Sequence, residues 1–466
     1  MKYFLTLIQL WVGFLSICAS YPKANIWIIP SVESPQVYRN YAQTSKVHLE
    51  MARGEVEHIQ LVFPSKVNEE YRFTFDRYLK GIQISARELK KMNGYYDALV
   101  PFKNQLKCTD TLTAVWITVQ CPSRVPVGKY HQTIKIEGSK HFTIQLDYNV
   151  HHTTIPLKSS IPITVGVENR CMTECLNDKE ADKERQRWVD FVLSYRMTPV
   201  FGTQITPERW QYEHSFSPWA WNDKRSIRLL NDRRYSCYML PFFTLSENEL
   251  ASLLCNIQKK GKLKESLFYI WDEPAYMEDY EQIKRKVNII RKYASDARIL
   301  TTFFCGPRNG PRKGDLYAVF DYLKHHIHVA TISLAPCKGN EEEVQHIRYK
   351  VPEGIDWWSY VCWQPGGNEP NFLLQMKGIQ QRAIMWRTWK NGSQGFLYWN
   401  CNIYHKRNPF TYITDMPHGD GILIYPGDIL GCKGPIASAR LERWRDGAEE
   451  MELLRLVEKN YSKEKA

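Results

Sequence analysis

SLFYIWDEPAYMEDYEQIKRKVNIIRKYASDARILTTFF, residues 266–304, carries a strand, a helix and a second strand without a break. The apolar run from Leu267 to Trp271 reads as a short buried strand, and Pro274 marks its end. MEDYEQIKRKVNIIRKYA then reads as a helix, and ARILTTFFC opens the next strand. Two carboxylates, Asp272 and Glu273, stand side by side where the first strand reaches solvent.

The same alternation extends in both directions. Upstream lie the strands IPITVGV (from 161), TPVFG and YSCYMLPFF, with the helical KEADKERQRWVDFVLSYR and SENELASLLCNIQKKGK between them. Downstream lie IHVATISL, IDWWSYVCW and GFLYWNCN, with the helical LLQMKGIQQRAIMWRTW before the last. Strands alternating with helices imply a parallel sheet. Eight such units over roughly 240 residues fit a closed (β/α)8 TIM-like barrel better than an open sheet. The GDGILIYPG hairpin and the helix GAEEMELLRLVEKN are expected to close the domain.

Residues 24 to about 155 have a different rhythm. KVHLEMARGEVEHIQLVF and KYHQTIKIEGSKHFTIQLDYNV alternate over short spans, and Pro and Gly punctuate the turns. Such strands bury one face each by packing as a β-sandwich. HHTTIPLKSS, 151–160, reads as a linker. The N-terminus has Lys2, an apolar segment from Tyr3 to Ile17 and small residues at Ala19 and Ser20, the layout of a secretory signal. The expected organisation is a signal peptide over 1–20, a β-sandwich over 21–155 and the α/β barrel over 156–466. Export as a secreted, periplasmic or cell-surface protein follows, and LSIC at 15–18 offers Cys18 as a lipidation position.

The formal charge is +12, but the basic residues are interleaved with acids and no basic stripe carries a nucleic-acid reading motif. Nucleic acid is therefore not an expected partner. The cysteines do not follow zinc-site spacing, and CGPRNGPRKGD at 305–315 lacks the phosphate-loop pattern, so no metal or other cofactor is expected. Most of the 12 cysteines lie in apolar runs as core thiols, for example Cys237, Cys305, Cys362 and Cys401. Cys171 and Cys175 could bridge locally, and Cys108 with Cys121 could staple a hairpin; the spacing leaves the disulfide pattern open. The 15 tryptophans and 27 tyrosines suit sugar stacking and large cores alike.

In a barrel of this type the active site lies at the C-terminal strand ends, which places Asp272 and Glu273 at the mouth. Side chains alternate direction along a strand, so adjacent acids cannot serve the same atom without a distortion. They can flank one substrate and reach different groups. Ordinary glycosidases set two carboxyl groups on different strands. An adjacent pair points instead to assistance by the substrate. Glu273 would be the acid that protonates the leaving group, and Asp272 would hold the nitrogen of a 2-acetamido group whose oxygen attacks the anomeric carbon. The bland alternative for DEP is an exposed turn.

YIWDEP, WWSYVCWQPGGNEPNF, GIQQRAIMWRTWKNGSQGFLYWNCN and the GDGILIYPG to GPIASARLERWRDGAEEMELL segment together resemble the catalytic domain of the family 123 glycoside hydrolases. ARGEVEHIQLVF resembles a strand pair of that family's N-terminal sandwich. The resemblance covers about 161 to 460. It implies an exo-acting hexosaminidase for a terminal β-linked sugar, N-acetylgalactosamine ahead of N-acetylglucosamine, with retaining, acetamido-assisted chemistry on Asp272 and Glu273. The implied partner is a glycan or glycoconjugate.

Further candidates to bind the sugar lie near the strand ends. Trp358 and Tyr360 share one face of their strand and Trp357 takes the other. Tyr398, Trp399 and Asn402 end the eighth strand, with Tyr404 beyond them. Asn169 follows Glu168 after the first. For the rings the alternative is barrel packing. PERWQYEHSFSPWAWND, 207–223, reads as a loop whose Trp210, Trp219 and Trp221 wall the pocket or cover the barrel, with His214 structural. Glu168 and Glu369 are the residues a two-carboxylate glycosidase would recruit, and a barrel that binds glycans without cutting them is the non-enzymatic alternative.

Overall fold

The computed structural model describes residues 26–76, 81–206, 211–304, 308–309, 313–335, 349–412 and 415–461. The signal segment expected over 1–20, Cys18, Trp210 and Cys305 lie outside them. The chain divides into two compact units, the first running to Pro156 and including Lys377–Ile379 and Ala437–Ala439, the second made of the rest from Leu157 on.

Among the described residues the first unit has ten strands in two sheets. One sheet runs β1 (Trp27–Pro30), β3 (Val56–Pro64), β8 (Leu112–Gln120), β5 (Gln83–Met92), β6 (Tyr95–Pro101). The other runs β2 (Lys46–Arg53), β10 (His141–Thr154), β9 (Gly128–Glu137), β4 (Glu70–Phe75), β7 (Gln105–Lys107). Pairing is antiparallel except between β10 and β2. Alternate residues from both sheets, such as Leu61, Phe63, Val115 and Ile117 against Phe73, Ile134, Ile144 and Leu146, form one continuous core. This is the packing of a β-sandwich. Cys108 and Cys121 form no bridge, and both thiols are free. They flank the nine-residue β8. At about 3.3 Å per residue that strand holds them tens of ångströms apart, where a disulfide needs Cα atoms within roughly 7 Å.

The second unit is built on β11 (Ile163–Glu168), β12 (Thr198–Thr206), β13 (Gln211–Ser215), β14 (Tyr238–Met239), β15 (Ser266–Trp271), β16 (Arg298–Phe303), β17 (Val329–Ser333), β18 (Asp356–Val361) and β19 (Phe396–Tyr398). Their spatial order is β13-β12-β11-β19-β18-β17-β16-β15-β14. All neighbours pair in parallel except β12 and β13. Helices such as Asp178–Ser194, Glu247–Lys259 and Met277–Arg291 separate successive strands. The last of these shows why: Tyr280, Ile283, Val287 and Ile290 recur at helical spacing and are its buried positions. Alternate strand residues fill the barrel with one cluster of Val200, Cys237, Met239, Leu267, Tyr269, Leu300, Val329, Trp358, Tyr360, Cys362 and Leu397.

The expected closed barrel is corrected at one seam. No ladder joins β12 to β14. There Ser236 N donates to Thr198 Oγ1 at 3.0 Å, and Phe216 N donates to Met239 O at 2.7 Å. The stretch expected as an aromatic loop supplies β13, an antiparallel strand folded back on β12 beside the gap. The result is a nearly closed, mixed barrel. On the far side of β11 a Cβ on Gly166 would meet Trp399 O at 1.9 Å, so only glycine lets the chain leaving β19 cross so closely. Cys171 and Cys175 form no bridge either. Cys171 is buried in the core while Cys175 is exposed in a left-handed conformation, φ 66°.

Candidate active site

Asp272 and Glu273 leave the end of β15, and the backbone there is distorted in two ways. The register against β16 slips between Tyr269 and Trp271, a bulge. Glu273 then takes φ 45°, the left-handed region that costs a residue with a Cβ about 1–2 kcal/mol. This break in the alternation brings both carboxyl groups to residues of the barrel interior. Asp272 Oδ1 accepts from Tyr269 OH at 2.8 Å and from Thr302 Oγ1 at 2.8 Å. Glu273 N donates to the same Thr302 Oγ1 at 2.9 Å, and Tyr360 OH donates to Glu273 Oε1. Asp272 Oδ2 and Glu273 Oε2 have no partner among the described residues. One hydroxyl, Thr302, therefore ties the two acidic residues together, and each carboxyl keeps one oxygen outside these bonds.

Both acids remain open to solvent, yet protein surrounds Glu273 on most sides. Lost hydration and then the charge of Asp272 push its pKa up to about 7, against the Tyr360 bond, which lowers it. Glu273 thus keeps its proton into the range where ordinary carboxyls have lost it. The stacking of His214 on Tyr269, ring centroids 4.2 Å apart, backs the phenol that holds Asp272. Burial pushes the His214 pKa down to about 4, so this ring is neutral packing at ordinary pH.

Glu168 ends β11 and is 3 % exposed. Burial pushes its pKa up to about 7, and its Oε2 has no partner among the described residues. Asn402 turns its amide to the backbone of β11. Both ends of its amide are spent on the Glu168 backbone, Oδ1 accepting from N at 2.8 Å and Nδ2 donating to O at 3.1 Å. Asn169 is half-buried and donates from Nδ2 to Thr203 Oγ1 at 3.0 Å, leaving Oδ1 free. Glu369 is committed to an ion pair with Arg387.

The remaining aromatic candidates separate by strand face. Trp358 is fully buried in the first half of β18, against the Gly395 backbone, and packs the barrel interior. Tyr360, two residues on, reaches Glu273. Tyr398 points out of the barrel, against Phe372 and Trp444, and does not line the mouth. Trp399 points inward, is half-buried and packs on the interior cluster. Trp219 donates to Asp182 Oδ1 at 2.8 Å under the Arg225 guanidinium, which ties it to the helix Asp178–Ser194. Three features escaped sequence reasoning. Thr302 looked like one more strand threonine. Trp363, exposed beyond β18, stacks on Phe304 beyond β16 with centroids 6.4 Å apart. Asp420, fully buried, accepts on Oδ1 from Trp399 Nε1 at 2.9 Å and Tyr398 OH at 3.1 Å. A carboxylate between two glycines reads as a turn, and nothing in the local pattern signals its burial.

Among solved structures the chain is similar to a family 123 glycoside hydrolase from Clostridium perfringens, from a study of glycolipid glycan hydrolysis. The TM-score is 0.65 at 14% identity, over 94% of this chain and 89% of that one. Much weaker likenesses link it to a Bacteroides ovatus GH5 xyloglucanase, TM-score 0.30, 10% identity, 87% and 98% covered. A GH2 β-galacturonidase from Eisenbergiella tayi gives TM-score 0.37, 8% identity, 85% and 90% covered. No curated protein matches the sequence. The model of the glycoside hydrolase 123 catalytic domain matches residues 183–457, which is more than half of the chain and includes both acids of the β15 end. With that span matched around a mouth that holds a paired Asp–Glu, the chain is a glycoside hydrolase and belongs to family 123.

Proposed function

We propose that this glycoside hydrolase releases a terminal β-linked N-acetylhexosamine, N-acetylgalactosamine ahead of N-acetylglucosamine, with net retention and with the substrate's own acetamido oxygen as nucleophile. One observation carries the reading: the Thr302 hydroxyl holds the Asp272 carboxyl and the Glu273 backbone N–H together, Tyr360 OH holds the Glu273 carboxyl, and each carboxyl keeps one oxygen outside these bonds. Glu273 Oε2 gives its proton to the glycosidic oxygen as the C1–O bond breaks. Asp272 Oδ2 accepts the acetamido N–H and stabilises the positive charge that grows as the acetamido oxygen bonds to C1. Glu273 then takes a proton from the water that opens the oxazoline at C1, and the two displacements restore the starting configuration. In this reading Trp399 stacks the sugar ring, supported by its half-buried, inward-facing indole, and Trp363 on Phe304 is a second apolar wall. A two-carboxylate mechanism would need a partner acid on another strand. Glu369 is held by Arg387, and Glu168 is buried.

The test offers matched aryl β-glycosides carrying a 2-acetamido or a 2-hydroxyl group and follows the first-formed anomer by proton NMR. Cleavage of the 2-acetamido sugar with a β product is expected, together with inhibition by a thiazoline mimic of the cyclised intermediate. Preference for the 2-hydroxyl sugar, or an α product, would refute the assisted mechanism.

A further inference from the structure

The segment around Asp420 is held more firmly than a surface turn requires. Gly419 and Gly421 flank the acid at φ 93° and 67°, the left-handed region that favours glycine. A Cβ on Gly421 would lie 2.3 Å from Ile403 Cγ2 and 2.6 Å from Trp399 Cζ2, so the indole packs directly on that backbone. Arg440 is 1 % exposed and donates to Gly419 O at 2.6 Å and to Phe372 O at 2.7 Å. Ile403 N donates to Gly421 O at 2.9 Å.

This rigid seat presents one oxygen to two donors that face opposite ways. Tyr398 points out of the barrel and Trp399 points in, as consecutive strand residues do. Both donate to Asp420 Oδ1. A carboxylate buried this deeply is costly, and an apolar residue of similar size would fill the space at less cost. Burial pushes its pKa up to about 6, the mark of that cost, although both bonds lower it. The return lies in what the bond does to Trp399. It fixes the rotation of the indole about its side-chain torsions. A negatively polarised acceptor on the N–H also leaves the ring face richer in electrons, which suits the partly positive C–H groups of a pyranose.

We propose that Asp420 is a positioning residue for sugar recognition, setting the plane of the Trp399 indole before substrate arrives. This rests on the reading of Trp399 as the sugar platform. The test is a double-mutant cycle between Asp420→Asn and Trp399→Phe, with KM and kcat measured on the 2-acetamido aryl glycoside. The Trp399 indole N–H resonance is followed by NMR alongside. Asp420→Asn alone should raise KM by roughly tenfold, within the coupling range of contacting residues, with kcat little changed, and should move the indole resonance. In the Trp399→Phe background the same change should alter KM by less than about twofold. Tyr398→Phe removes the outward donor, together with the acceptor of the Gly421 N–H at 2.9 Å, but leaves the Trp399 bond to Asp420 in place, and is expected to lower thermal stability while leaving KM unchanged. Equal losses from Asp420→Asn in both backgrounds, an unmoved indole resonance, or a matching KM rise in Tyr398→Phe would overturn the proposal. If the wild type cleaves no 2-acetamido glycoside while the resonance still moves, the substrate reading fails and the positioning of Trp399 stands.

Discussion

A Glu273→Gln enzyme is expected to lose about 10²–10⁴-fold in turnover on a glycoside with a poor leaving group, and much less on an activated aryl glycoside. The amide keeps the volume and still accepts from Tyr360, but it has no proton to give. An aryl oxide of low pKa leaves without protonation, so its first step tolerates the change. The pH profile supplies a second signature. With the Glu273 pKa raised to about 7, the acid form persists up to neutrality and is lost above it, so the wild-type rate on a poor leaving group should fall on the alkaline side of about pH 7. That limb should vanish in Glu273→Gln. Equal and negligible losses on both substrates would remove Glu273 from the role of acid and turn attention to Glu168.

An Asp272→Asn enzyme should lose about 10²–10³-fold in kcat, the range seen when one stabilising group is withdrawn from a developing charge. Its Oδ1 can still accept from Tyr269 and Thr302, so the site keeps its shape. What changes is the free position. Where Oδ2 accepted the acetamido N–H, the variant sets an NH2 donor against a donor, and the cationic intermediate loses its counter-charge. The charge of Asp272 also helps to raise the pKa of Glu273, so its removal should move the alkaline limb to lower pH. Full activity with an unmoved limb would show that Asp272 neither touches the acetamido group nor acts on Glu273.

The barrel strands are legible in sequence because each is a short apolar run between turn signals, and burial on both faces leaves little room for another reading. The seam is not. QYEHS is polar and aromatic, and it becomes β13 only because β12 lies beside it with an unpaired edge. The acid pair is legible for the same reason as the strand, since its position is counted from an apolar run with a proline stop. The residues around it depend on facing. Tyr398 and Trp399 are neighbours at the end of a three-residue strand, and parity alone sends one to the helix layer and the other to the mouth. Asn402 lies beyond the strand, where parity no longer applies, and its amide is drawn to the backbone of a residue 234 positions away. Thr302 and Asp420 act through contacts with residues remote in sequence or on another strand, which no local pattern encodes.

The left-handed backbone of Glu273 sets two kinds of selection against each other. A library at this position screened only for survival after heating would favour glycine, which adopts the same φ without the crowding of a Cβ. The same library screened for turnover would return glutamate. With Glu273 as the proposed acid, heat-resistant lineages that acquire changes freely at the end of β15 would become inert proteins with an intact fold, and thermal engineering of this enzyme would hold that one codon constant.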